Sequence, residues 1–155
     1  MGNQPEMSWI HRWGPVIVWA CVISTFSTHL FTSEHTASML IPVLHWLLPN
    51  APLRELLRIH AFIRKCGHVV EFFIFGVLVM RGFRGGRQEW RWSWALWTLL
   101  ISACLASLDE FHQAFVPGRT ATAWDSLLDT SAAAVALIAM LLLWWAARRH
   151  KTPAY

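Results

Sequence analysis

The 155-residue chain is 55% hydrophobic and only 14% charged, with a mean hydropathy of +0.40; a soluble globule of this length needs a far more polar surface. A net charge of +4 and a pI near 9.5 do not indicate nucleic acid, because no Lys/Arg-rich run interleaved with aromatics and no Gly-rich phosphate loop is present. Cys21, Cys66 and Cys104 are odd in number and widely spaced in apolar sequence, so they give neither a disulfide framework nor a zinc site and read as packing residues.

The first apolar run, residues 13–31, is long enough for a hydrocarbon core that needs roughly 20 helical residues. Thr32-Ser33-Glu34-His35-Thr36 follows it in place of a small-residue cleavage site, so an uncleaved first helix is expected and not a removed signal peptide. Two shorter segments come next. In one, Met39, Leu40, Val43, Leu44, Leu47 and Leu48 recur at helical spacing, with Pro42 and Pro49 limiting the helix. In the other, Asn50-Ala51-Pro52 reads as a cap with proline in the first turn, and Leu53, Leu56, Leu57 and Ile63 stand opposite Arg54, Glu55, Arg58 and Arg64. That amphipathic segment is expected to lie in the interface plane. Further apolar runs at 66–83, 92–108 and 127–147 bring the count to four. The expected fold is an all-α membrane protein, one domain over 1–155, with four transmembrane helices and one or two short interfacial helices between the first and second.

Orientation follows the basic residues. With the N-terminus cytoplasmic, the inside carries Arg12, Arg81, Arg84, Arg87, Arg91, Arg148, Arg149 and Lys151, and the outside the smaller set Arg54, Arg58, Arg64, Lys65 and Arg119. Trp9, Trp13, Trp90, Trp92, Trp94, Trp144 and Trp145 would then mark the inner interface, with Trp46 and Trp124 at the outer one. Both termini are expected on the cytoplasmic side of the membrane.

The ionisable residues within the spans form three groups. Lys65, His68 and Glu71 share one face of the second span; Asp109, Glu110, His112 and Gln113 close the third; Asp125 and Asp129, four apart, open the fourth after Pro117-Gly118-Arg119. All three groups fall at one depth under this topology. Charged side chains facing lipid cost roughly 2.5 to 3.5 kcal/mol each even on a lenient insertion scale, so a shared polar pocket is expected. The competing account is a helix-to-helix polar clamp, whose hydrogen bonds are worth about 1 kcal/mol each. His29, His35, His45 and His60 read as interfacial, and the Ser24, Ser27 and Thr28 hydroxyls as bonded to their own helix.

Lys65-x-x-His68-x-x-Glu71-Phe72, then Asp109-Glu110-x-His112-Gln113-x-Phe115-x-Pro117-Gly118-Arg119, then Asp125-x-x-x-Asp129-Thr130, resembles the VanZ-like family of small bacterial membrane proteins. Phe26-Ser27-Thr28 resembles that family's Phe-Ser-Ser-type segment. The chain departs from the pattern at Asp129, where the family usually has Asn, and at Ala132, where Gly is frequent. The family takes its name from a protein associated with teicoplanin resistance, so the resemblance implies a role at the cell envelope.

Together these readings predict an outward-facing pocket that binds, or binds and modifies, a membrane lipid or lipid-linked envelope precursor. His68, Glu71, Asp109 and Glu110 are the expected acid–base groups, and Lys65, His112, Gln113, Arg119 and Asp125 the substrate-binding ones, with guanidinium suited to a phosphate or carboxylate. No cofactor is identified. A divalent metal stays open, since His68, Glu71, Asp109, Glu110, His112 and Asp125 offer nitrogen and oxygen donors without a local motif such as His-Glu-x-x-His. A non-enzymatic accessory protein is the principal alternative. A small oligomeric transporter is the next, and the near absence of charge in the inner halves of the spans counts against it.

Overall fold

The computed structural model describes residues 7–28, 33–115 and 122–149. Among these are five helices and no strand: α1 (Trp9–Phe26), α2 (Ser33–Leu47), α3 (Leu53–Arg84), α4 (Trp92–Gln113) and α5 (Ala123–Arg149).

Of the one or two short helices expected between the first and second spans, one is separate. The amphipathic segment at 53–64 and the span at 66–83 are one continuous 32-residue helix, so α2 is the only separate helix there among the described residues. No proline interrupts Leu53–Arg84, and Gly67, costing about 1 kcal/mol relative to Ala in a helix, is too weak a break. At 1.5 Å per residue α3 is roughly 48 Å long, against a hydrocarbon core of about 30 Å, so its first turns extend beyond the core. Pro42 lies inside α2 and does not end it; the helix stops at Leu47, just ahead of Pro49.

Three of the four expected spans are met by length and composition among the described residues. α3, α4 and α5 are long and apolar enough to cross a membrane. α1 is not among them: its 18 residues begin with His11 and Arg12 in the first turns and end at Phe26, short of the expected 31. Residues 29–32 of that run lie outside the described residues.

α3 is the central element, packing on α1, α2, α4 and α5, with its largest contact to α5. That contact is made by small residues. A Cβ added to Gly76 would lie 3.1 Å from Ala133 Cα, so glycine lets the two backbones approach more closely than a side chain there would without a shift of the neighbour. Ala132, Ala133 and Ala136 of α5 are buried with Phe72, Phe75, Val79 and Met80 of α3, and Val16 and Ile23 of α1 complete the core. Leu96, Leu100, Val135, Ile138, Leu142 and Leu143 point outward, as side chains facing acyl chains do.

The two ends of the bundle differ chemically. At one end Gly85 caps α3 in the left-handed conformation (φ 54°, ψ 33°), and the Arg12 Nε donates to the Gly82 carbonyl at 2.9 Å. Trp144 Nε1 donates to the Gln88 carbonyl, while Arg148 and Arg149 lie 4.3 and 3.4 Å over the rings of Trp144 and Trp145. This is a basic and aromatic belt. Midway along, Trp19 Nε1 donates to the Glu71 carbonyl at 2.9 Å, so α1 runs antiparallel beside α3. The opposite end gathers Ser27 of α1, His68 of α3, Gln113 of α4 and Asp129 of α5.

Candidate functional site

The polar end is assembled from four helices. On α4 the structure pairs Asp109 with Gln113, four residues apart. Gln113 Nε2 donates to Asp109 Oδ2 at 2.7 Å and to Ser27 Oγ at 3.3 Å. All three side chains are buried, so one amide ties the last turn of α4 to the end of α1. Ser27 therefore accepts from another helix instead of bonding its own. Thr28 does bond its own helix, its hydroxyl donating to the Thr25 carbonyl.

Thr122 starts α5 and explains two carboxylates. Its backbone N–H donates to Glu110 Oε2 at 2.9 Å, and its hydroxyl accepts from the Asp125 N–H at 3.2 Å and donates to Asp125 Oδ2 at 2.9 Å. This is an N-cap in which α4 supplies a further acceptor. Asp125 Oδ1 also meets Lys65 Nζ at 3.0 Å. The Lys65 side chain is 61% exposed, which makes that ion pair a rim contact of modest strength.

Deeper in the bundle, His68 Nδ1 stands 3.4 Å from Asp129 Oδ2. Asp129 is 0% exposed. The separation is that of an ion pair, yet neither Asp129 oxygen nor His68 Nδ1 has a hydrogen-bond partner, so the approach is close without the alignment of a hydrogen bond. One donor atom each from His68, Asp109 and Asp129 lies within 4.8 Å of the others. Of the six residues considered for a metal from sequence, the structure joins His68 and Asp109, and adds Asp129.

Glu71 takes another direction. With Phe26, Ser27, Thr36, Arg64, Gly67 and His68 it lines a cleft of about 150 Å³ between α1, α2 and α3. That is a few water volumes at about 30 Å³ each, far below the 300 to 1,000 Å³ of a pocket for a drug-sized ligand. His68 belongs to both the cleft and the buried cluster.

One expected site residue lies elsewhere. His112 is exposed, on the side of α4 where Phe111 and Phe115 pack edge-to-face with centroids 5.1 Å apart; its three-residue offset from Asp109 turns it away from the cluster. Arg119, with Pro117 and Gly118, lies outside the described residues. His60, read as interfacial, is buried, its Nε2 3.1 Å from Thr36 Oγ1, and so fixes α2 against α3.

Asp129 is the residue that sequence reasoning left out of the site. The signal was present, because a carboxylate four residues beyond Asp125 must lie on the same face of an apolar helix. Its position at the α3–α5 contact could not be read from the spacing.

A family model described as VanZ/LLP1 matches residues 13–145. No curated protein and no solved structure matches the chain.

Proposed function

The chain belongs to the VanZ/LLP1 family, and from that premise we propose that it is a four-span protein of the bacterial inner membrane whose polar end binds the anionic headgroup of an envelope lipid or lipid-linked precursor. The observation that carries this reading is the cleft between α1, α2 and α3, where Arg64, His68 and Glu71 stand beside the ring of Phe26. A small polar cavity against an apolar rim suits a headgroup whose acyl chains stay in the bilayer. Its volume fits a phosphate-sized group and not a whole glycan. Arg64 and the neighbouring Lys65 supply the positive charge, and Glu71 with His68 supplies acid–base groups for any reaction at the bound headgroup.

A fourth span is supported by α1 itself. It runs antiparallel to α3 from the Arg12–Gly82 contact through Trp19–Glu71, and Ser27 at its end meets Gln113 of α4. A helix that keeps step with a membrane-crossing neighbour over that length shares its depth. The basic and aromatic belt at the other end supports placing both termini in the cytoplasm and the cleft on the outer side.

The closed polar clamp is the second reading, and specific pairings favour it for part of the site. Asp109, Gln113 and Ser27 satisfy one another, Glu110 holds Thr122, and Asp125 holds Lys65. These contacts are what a clamp requires, whereas a clamp has no use for the cleft. Lipids that copurify with the protein distinguish the two. Wild-type protein is expected to retain an anionic lipid that Arg64→Gln loses and Glu71→Gln keeps at equal folded yield, and comparative lipidomics of cells carrying wild type or Glu71→Gln should differ in the same species. Identical lipid content in all three proteins would overturn the binding reading.

A further inference from the structure

Asp129 poses a problem that its protein neighbours leave unsolved. A carboxylate removed from water needs hydrogen bonds or an opposite charge, or it costs several kcal/mol. Asp129 is wholly buried with both oxygens lacking a hydrogen bond, and so is the His68 nitrogen that faces it. Asp109, the second carboxylate in reach, is also buried, and the Gln113 amide donates to its Oδ2 at 2.7 Å. The nearest lysine, Lys65, is paired at the rim with Asp125. Two carboxylates and an imidazole therefore converge in the bundle, and neither Asp129 oxygen nor the facing His68 nitrogen is satisfied by a hydrogen bond.

We propose that His68, Asp109 and Asp129 form a site for a single divalent transition-metal cation. One donor atom from each lies within 4.8 Å of the other two. Around an ion bonded at about 2.0 to 2.2 Å, neighbouring ligand atoms are about 3.0 to 3.5 Å apart and opposite ones about 4.2 Å, so small side-chain rotations bring these donors onto one centre. The charges also match, since two carboxylates and a neutral imidazole carry −2 and a divalent ion leaves the buried group neutral.

The donor set narrows the ion. Calcium and magnesium take oxygen ligands, and an imidazole between two carboxylates suits zinc or manganese. The absence of thiolate agrees, as Cys21, Cys66 and Cys104 are all exposed on the helix surfaces. Gln113 has the role of an outer partner, its amide holding the Asp109 carboxylate by a 2.7 Å hydrogen bond to Oδ2. The three ligands come from α3, α4 and α5, which makes the ion a junction of the three longest apolar helices. The site shares His68 with the cleft, and because ion content and lipid content are separate measurements, the failure of one reading is distinguishable from the failure of the other.

The test uses the full chain in detergent, stripped with a chelator and equilibrated with zinc or manganese. Wild type should retain about one ion per chain after gel filtration, as a built site does. Asp129→Asn and Asp109→Asn should lose it, while Asp125→Asn and His45→Gln, which alter carboxylate and imidazole groups outside the cluster, should keep it. Cobalt provides a readout in wild type alone: ligand-field absorption without a thiolate charge-transfer band is expected from nitrogen and oxygen donors. Wild type that holds neither zinc nor manganese overturns the proposal. So does Asp129→Asn retaining the ion as wild type does, or a thiolate band in the cobalt spectrum.

Discussion

His68 on α3 and Asp129 on α5 face each other at 3.4 Å across the largest helix contact in the structure, so the most costly pair of polar groups sits where the packing is tightest. Removing one partner and removing both are expected to differ. His68→Leu leaves a buried carboxylate without its nearest positive partner and should destabilise the folded protein by about 3 to 5 kcal/mol. The double change His68→Leu with Asp129→Leu, measured in chelator so that no ion contributes, should recover most of that loss. Thermal denaturation in detergent reads both, and a double variant no more stable than the single one would show that the pair is not coupled.

Gly76 and the alanines opposite it make a packing prediction. Because a Cβ on Gly76 would meet the Ala133 backbone at 3.1 Å, the neighbour cannot rotate aside, and Gly76→Val should push α3 from α5 at a cost of about 1 to 3 kcal/mol, typical of overpacking. Ala132→Leu should lower folded yield for the same reason, since Ala132 is buried in that contact. Ser131→Leu should be tolerated, its side chain being exposed. Unchanged melting of Gly76→Val would mean that the two helices do not approach this closely.

Glu110 separates anchoring from chemistry. Its carboxylate receives the Thr122 N–H at the start of α5, and Glu110→Gln keeps an oxygen acceptor there. Folded yield should be near wild type, while Glu110→Leu, which leaves that N–H without its partner, should lose about 1 to 3 kcal/mol. An envelope phenotype abolished by Glu110→Gln at full yield would give this carboxylate a chemical role. A phenotype that follows yield across both variants assigns it to anchoring.

Topology can be read by reporter fusions after Gly86, in the turn at the basic end, and after Ala51, in the turn before α3. The cytoplasmic reporter should be active at Gly86 and the periplasmic one at Ala51, following the basic residues around Arg81 to Arg91 and beyond Trp144. The reverse pattern would turn the cleft toward the cytoplasm.

Much of this protein was legible as sequence because lipid is a demanding solvent. Backbone groups within a bilayer must be satisfied inside each segment, so apolar runs had to be helices, and the runs at 66–83, 92–108 and 127–147 all lie within α3, α4 and α5. The same cost made it plain that Lys65, His68, Glu71, Asp109, Glu110 and Asp125 would not be spread at random over the surface. Chain-local pattern was less reliable at the edges of elements: the amphipathic stretch before residue 66 read as a separate helix, because nothing in spacing distinguishes a break from a helix that leaves the membrane and continues.

What the sequence by itself determined is therefore the solvent, the helical class and the end of the bundle where the polar groups collect, all of which follow from transfer free energies of single residues. The tertiary structure alone decided which of those groups meet. Rotation of each helix about its axis turned His112 outward and Asp129 inward, set Gln113 between Asp109 and Ser27, and put Glu71 on a cleft while Glu110 caps a neighbour. Those rotations are fixed by close packing, above all at Gly76 against Ala133, and such packing depends on pairs of helices that no single stretch of sequence contains.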